Sequence, residues 1–294
     1  MIHLPRSTFD DKLAFDHVVS HRIKKYNEDL STLGSRVVQC YTTYETHVMS
    51  PTGHGPTSFT AAEQADLKAN AKFIKLAYFK YLRADINASI NGLCVYCNQI
   101  QVSEIDHYLP KAIFGEYAIF SANLVPSCEK CNKKKLDRFR QTKGGRRYLH
   151  PYFDMLPSSD QYLTCTLSFN ATVTAKFGFQ LPPDTPSDVA NAIQCQFEDL
   201  DLAIRYGAEA AGDMANNLGS YYLAFKRGSS ALREQLEANW RSAVATFGIN
   251  HWLSVTRRAV YESEEFCEGG FQLLGADPPS VGAALVSRVK TPSP

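Results

Sequence analysis

The chain has little of what marks a membrane, secreted or disordered protein. Tryptophan occurs twice and methionine four times in 294 residues. No apolar stretch approaches the ~18 consecutive residues of a membrane-spanning helix, and the start, MIHLPRSTFDDKLAF, has neither a basic leader nor an apolar run. These absences predict a soluble, cytoplasmic protein without an export signal. Charge is nearly balanced, at net +1, with 21% charged and 44% hydrophobic residues, which excludes a disordered or collagen-like chain. No internal repeat or low-complexity tract is visible. A chain near 300 residues buries roughly 75% of its unfolded surface, and 17 Phe and 15 Tyr supply bulk for that core. Disulfide staples are therefore unnecessary, and the eight cysteines are expected to be thiols in a reducing compartment.

Hydrophobic periodicity divides the chain into four parts: a helical scaffold over 1–91, a central module over 92–150, a hairpin-plus-helix region over 151–275 and a mobile tail over 276–294. The pattern is helical over 7–29 and again over 60–90, where Leu67, Ala71, Ile74, Tyr78 and Tyr81 recur at steps of four and three on one face. Thr60 with Glu63 has the spacing of a capping box, Asn91-Gly92 ends the run, and a Gly/Pro/Ser loop covers 50–58. Further on, Leu163, Cys165, Leu167 and Phe169 alternate with polar residues, as do Val173, Ala175, Phe177 and Phe179 after Asn170-Ala171, which predicts a β-hairpin. Helical patterns then cover 187–226, 230–247 and 250–266. The fold class expected is α+β.

The chemistry concentrates in CVYCNQIQVSEIDHYLPKAIFGEYAIFSANLVPSCEKCNKKK, residues 94–135. Cys94 and Cys97 form one C-x-x-C knuckle, Cys128 and Cys131 a second, with thirty residues between them. Four thiolates on two tight turns suit a tetrahedral metal; Zn²⁺ is the default, and iron would imply redox chemistry for which nothing else in the chain argues. Cys40, Cys165, Cys195 and Cys267 stand alone in apolar patterns as core residues. The gap between knuckles exceeds the ~15–20 residues of a simple zinc ribbon, so the insertion calls for a purpose.

Inside that insertion lie Asp106-His107 and Asn123, with Asn132 immediately after the last cysteine. Over residues 92–136 the chain resembles the HNH nucleases of the ββα-metal, or His-Me finger, superfamily, in the subgroup whose active site is bracketed by two cysteine knuckles. The resemblance implies a ββα module with His107 as general base, Asp106 and Asn132 as ligands of one divalent ion, and Asn123 holding the loop that orients His107. Oxygen donors of this kind suit Mg²⁺ or Mn²⁺, and an asparagine where the family name has a histidine leans further towards Mg²⁺. The activity implied is hydrolysis of DNA phosphodiester bonds, leaving 5′-phosphate and 3′-hydroxyl ends. With its helical arms the chain is also similar to nuclease components of bacterial anti-phage systems of the Septu and retron-associated types, which implies a partner such as an ATPase.

Between residues 130 and 147 nine basic residues (Lys130, Lys133, Lys134, Lys135, Arg138, Arg140, Lys143, Arg146, Arg147) face one acid, Asp137, a net of +8 in a chain whose total is +1. The segment is expected to track a phosphate backbone beside the cut, which gives affinity without base information and hence little sequence specificity. His150 and Asp154 follow closely enough to reach the site, although a His before Pro is more often a turn residue. His17 and His21 share a helix face without a third ligand, His47, His54 and His251 have no supporting neighbours, and Trp240 and Trp252 read as packing. Two alternatives stay open: an RNA- or tRNA-cleaving nuclease using the same residues, and a non-catalytic zinc module that binds nucleic acid or protein.

Overall fold

The computed structural model describes residues 3–50, 58–87, 92–142, 144–156 and 160–275. The expected tail, His54, Lys143, Asn91 and most of the loop at 50–58 lie outside the described residues. The chain forms two compact units, one of Met1–Pro157 with Leu181–Leu202 and one of Ser158–Gln180 with Ala203–Pro294. The first carries the four knuckle cysteines and the Asp-His pair.

In the first unit α1 spans Asp11–Tyr26, opened by Asp10, whose carboxylate accepts from the Leu13 amide, and closed by Asn27 in the left-handed region. A second helix, α2 at Gly34–Val48, was not foreseen, because its Val, Thr and Tyr residues have weak helix propensity. Its buried Val37, Tyr44 and Val48 lie on one face, and packing rather than propensity holds it. The helix expected from Thr60 to Ile90 is broken. The Thr60–Glu63 capping box forms and opens α3 (Ala61–Lys68), but 3-10 turns follow through Lys75 and Phe79 before α4 (Lys80–Asn87). Leu76 is extended at the break, and Arg83 donates to the freed carbonyls of Ile74 and Leu76. The break shifts the helical phase: Leu67 and Ile74 stay in the core, whereas Tyr81 turns out to 77% exposure and Phe79, Leu82 and Ile86 pack inward.

Strands β1 (Glu104–His107) and β2 (Leu124–Ser127) pair antiparallel, with Glu104 opposite Ser127 and His107 opposite Leu124. The seven-residue helix α5 (Glu129–Lys135) follows β2 directly. Leu124 and Ile105 join the core built by α1 to α4, which seats the two-stranded sheet on the helical scaffold. Helix α6 (Ser187–Asp199) completes the unit, its Gln196 side chain donating to the Tyr96 carbonyl at 3.0 Å and accepting from the Leu149 amide at 3.2 Å.

The second unit holds the foreseen hairpin, β3 (Leu163–Phe169) paired in register with β4 (Val173–Phe179). Helices α7 (Leu202–Asn216), α8 (Leu218–Phe225), α9 (Ser229–Phe247), α10 (Trp252–Glu262) and α11 (Glu264–Cys267) complete the described chain. The single pattern expected over 187–226 is thus three helices, interrupted at Asp201, whose φ is +51°. No helix among the described residues is long and apolar enough to cross a membrane.

Candidate metal and catalytic site

The sulfurs of Cys94, Cys97, Cys128 and Cys131 lie within 4.8 Å of one another and are buried. A tetrahedral ion with metal–sulfur bonds of about 2.3 Å sets sulfurs roughly 3.8 Å apart, and Cys97 and Cys128 stand at 3.9 Å. The cluster therefore fits a structural Zn²⁺. In the first knuckle the Cys94 amide donates to Ile100, the Asn98 amide donates to Cys94, and Asn98 takes a left-handed φ of +48° that closes the turn. In the second, Cys128 caps α5, its sulfur accepting the Cys131 amide at 3.4 Å. Four ionised sulfurs at this spacing repel one another strongly away from water, which a divalent cation between them offsets. The other cysteines are separate thiols.

β1 turns one face towards α5. Residues two apart on a strand share a face: Glu104 accepts a hydrogen bond from the Asn132 amide nitrogen, and Asp106 meets Lys135 three residues further along the helix. The Lys135 side chain is fully buried, with Nζ 3.0 Å from Asp106 Oδ2 and donating to the His107 carbonyl at 2.9 Å. Tyr96 donates to the same Oδ2 at 2.7 Å, so both polar contacts fall on one oxygen and Oδ1 is left. Lys135 thus meets Asp106 and the backbone carbonyl of His107, and Asn132 reaches the same strand at Glu104; the His107 ring itself is turned to the Ala118 carbonyl. Glu104 and Tyr96 were passed over in the sequence, although Glu104 carried a signal in its i−2 position relative to Asp106.

His107 is the last residue of β1, at the point where the strand gives way to a loop. Its Nε2 lies 2.9 Å from the Ala118 carbonyl oxygen. A carbonyl only accepts, so Nε2 carries the proton and Nδ1 is the basic nitrogen. Burial, reinforced by the positive charge of Lys111, pushes its pKa down to about 4, and the imidazole is neutral at physiological pH.

Asn123 is fully buried and its amide is saturated. Oδ1 accepts from the Leu109 amide and the Tyr44 hydroxyl, both at 2.8 Å, while Nδ2 donates to the carbonyls of Leu109 at 3.1 Å and Tyr117 at 3.2 Å. It grips the loop after His107 and reaches no solvent. His150 stands behind it: Nδ1 accepts from the Tyr152 amide at 3.3 Å, so Nε2 holds the proton and donates to the Tyr44 oxygen at 3.2 Å. Burial keeps this ring far below its ordinary pKa. Asp154 accepts from the His150 amide and pairs with buried Arg146. Both residues belong to the core.

The basic segment differs most from expectation. Lys135 is internal, Arg146 is buried against Asp154 and Asp188, Arg147 and Arg138 share Asp199, and Lys134 meets Asp201. The side chain of Asp199 also accepts from the Tyr148 hydroxyl at 2.8 Å. Asp188, Asp199 and Asp201 lie on and just beyond α6, so cations that looked free are clamps holding that helix. Lys133 pairs with Glu129 on α5, while Lys130 and Arg140 are exposed. Of the remaining histidines, His17 stacks on Tyr78, His21 meets Phe73 edge-on and His251 caps α10. Trp240 stacks on Tyr261, and Trp252 opens α10 half-buried.

No family model matches this chain, and no solved structure does. Protein ea31 of Escherichia phage lambda is 24% identical to it over 243 residues, covering 79% of this chain and 82% of ea31. The Septu protein PtuB of Bacillus thuringiensis is 33% identical over 60 residues, 19% of this chain and 23% of PtuB. The first similarity runs through most of both chains; the second is a segment of each.

Proposed function

We propose that the protein is a metal-dependent HNH endonuclease that hydrolyses DNA phosphodiester bonds with little sequence specificity and serves anti-phage defence with a partner protein, for which an ATPase is a candidate. The observation that carries the reading is the placement of Asp106, His107 and Asn132 on one strand–strand–helix unit, clamped by four sulfurs. The segment similarity to a Septu protein supports the defence setting.

Glu104 and Asp106 carry carboxylates on one face of β1 and Asn132 of α5 adjoins Glu104, side chains whose oxygens are of the kind Mg²⁺ or Mn²⁺ takes. Asp106, through Oδ1, and Asn132 would hold the ion. When bound, it would neutralise charge developing on the phosphate and the leaving oxygen. His107 is oriented by the hydrogen bond that its Nε2–H donates to the Ala118 carbonyl, and Nδ1 takes the proton of the attacking water. Lys135 pairs with Asp106 and ties the strand end to α5 through the His107 carbonyl. Among the described residues of the segment, Lys130, Lys133 and Arg140 are exposed cations that would meet phosphates, a grip that carries no base information.

Purified protein with Mg²⁺ or Mn²⁺ is expected to nick supercoiled plasmid, and His107→Ala to lose cutting at an unchanged melting temperature. Unchanged cutting by His107→Ala removes the base from the mechanism, and total RNA cut in preference to plasmid moves the substrate to RNA. A second reading, a non-catalytic zinc module, is favoured by the Lys135 ammonium lodged against Asp106. It stands if wild type cuts neither nucleic acid with either ion.

A further inference from the structure

We propose that Glu104 is a positioning residue that sets which way round the Asn132 amide is held. This rests on the ion-binding reading above and adds a residue to it. An asparagine side chain has an oxygen and a nitrogen of nearly the same shape, and only the oxygen can ligate a cation. Something must therefore distinguish the two orientations.

Glu104 does so by chemistry alone. An ionised carboxylate has no proton to give, so the group of Asn132 that faces it is Nδ2, and this hydrogen bond is the one the structure shows. The amide oxygen then points the other way. Glu104 is on the face of β1 that also carries Asp106, and Asn132 and Lys135 of α5 meet these two carboxylates in turn, so Glu104 holds the Asn132 amide on the same strand–helix seam as the Asp106 carboxylate. A separate observation marks that seam as polar beyond the protein's own needs. Ser127, opposite Glu104 in the register and hence on the same face, is fully buried and its hydroxyl has no protein partner.

In Glu104→Gln the new carboxamide can donate to the Asn132 oxygen as readily as accept from its nitrogen, so both orientations become populated. Residues that orient a metal ligand typically contribute 10–100-fold in affinity. Mn²⁺ binding to the zinc-loaded full chain, followed by the electron spin resonance of free Mn²⁺, should therefore weaken roughly 10–100-fold in Glu104→Gln while the melting temperature is kept. Asn132→Asp added to Glu104→Gln should recover affinity, because a carboxylate presents oxygen either way round. Asn132→Asp alone should bind worse than that double variant, since two carboxylates would then meet.

Nuclear magnetic resonance of the Asn132 side-chain amide gives a metal-free readout. One of its protons should lie downfield in wild type and lose that shift in Glu104→Gln. Mn²⁺ affinity equal in wild type and Glu104→Gln overturns the inference and leaves the ion site standing. A wild type with the shifted proton but no Mn²⁺ binding overturns the ion site and leaves the orientation by Glu104 standing. An unshifted proton in wild type refutes the orientation.

Discussion

Replacing Lys135 by Met keeps an unbranched apolar stem and removes the ammonium, with its charge and its donors, which isolates what that group does. Lys135 is fully buried and Asp106 nearly so, with side-chain exposures of 0% and 6%. That burial decides the magnitude: an exposed pair such as Lys12–Asp16 is worth about 0–1 kcal/mol, whereas removing one partner of a buried pair costs about 3–5 kcal/mol, because the other charge is left without compensation. The His107 carbonyl also loses its donor. Against a total stability of about 5–15 kcal/mol this is a large fraction. For a unit of about 180 residues each kcal/mol moves the midpoint by about 2–4 °C, so Lys135→Met should melt roughly 6–20 °C lower. The assay is thermal unfolding by circular dichroism at fixed zinc. Adding Asp106→Asn removes the stranded carboxylate and should restore most of the loss. A single variant melting within about 1 °C of wild type, or a double variant no better than the single, would show that the pair is not the buried clamp described.

Elemental analysis should find one zinc per chain, and a strong chelator should unfold the first unit; zinc-free protein with an unaltered melting curve would refute the structural role of the four cysteines. Tyr44→Phe strands the His150 Nε2 proton and takes one bond from Asn123, so urea titration should show a loss of about 1–3 kcal/mol. Burial raises Asp11 to about 6, although Ser121 donates to it twice. The folded state therefore binds this proton more tightly than the unfolded one. The contribution of Asp11 is complete below its ordinary value of 3.8 and is lost as pH rises through about 6. Asp11→Asn should accordingly raise the midpoint near neutral pH and flatten the slope across that window; a lower midpoint at neutral pH would contradict it. At Gly115 an added Cβ would lie 2.5 Å from the Gln64 carbonyl oxygen and 2.7 Å from the Lys68 nitrogen, both backbone. Gly115→Ala should cost about 1–3 kcal/mol or more by chemical denaturation.

What could be read from the sequence was what local spacing encodes. Two C-x-x-C turns, strict alternation at residues 163–179 and the Thr60–Glu63 box each rest on residues within a few positions of one another, and each is found where it was expected. What could not be read was set by distant partners. Helix α2 has the composition of a strand and is held by packing, and the helix after Thr60 breaks where the core demands a change of phase. The basic run looked free because its acids arrive some fifty to seventy residues later, on and beyond α6, where no periodicity links them to it. Lys135 faces inward for the same reason: Asp106 takes it from 29 positions away. The Asn132 amide was noticed and its holder was not, since Glu104 needed the strand–helix contact to become meaningful.

The Tyr44 hydroxyl joins stretches that are remote along the chain. Through it helix α2 props, from below, the amide that shapes the bend after the strand. The cysteine-bracketed stretch is thus no cassette to be lifted out whole: cut away from the chain's first fifty residues, it would leave behind part of its own inner wall. Divergence in that prop would therefore be felt at the seam first, well before any residue lining it had changed.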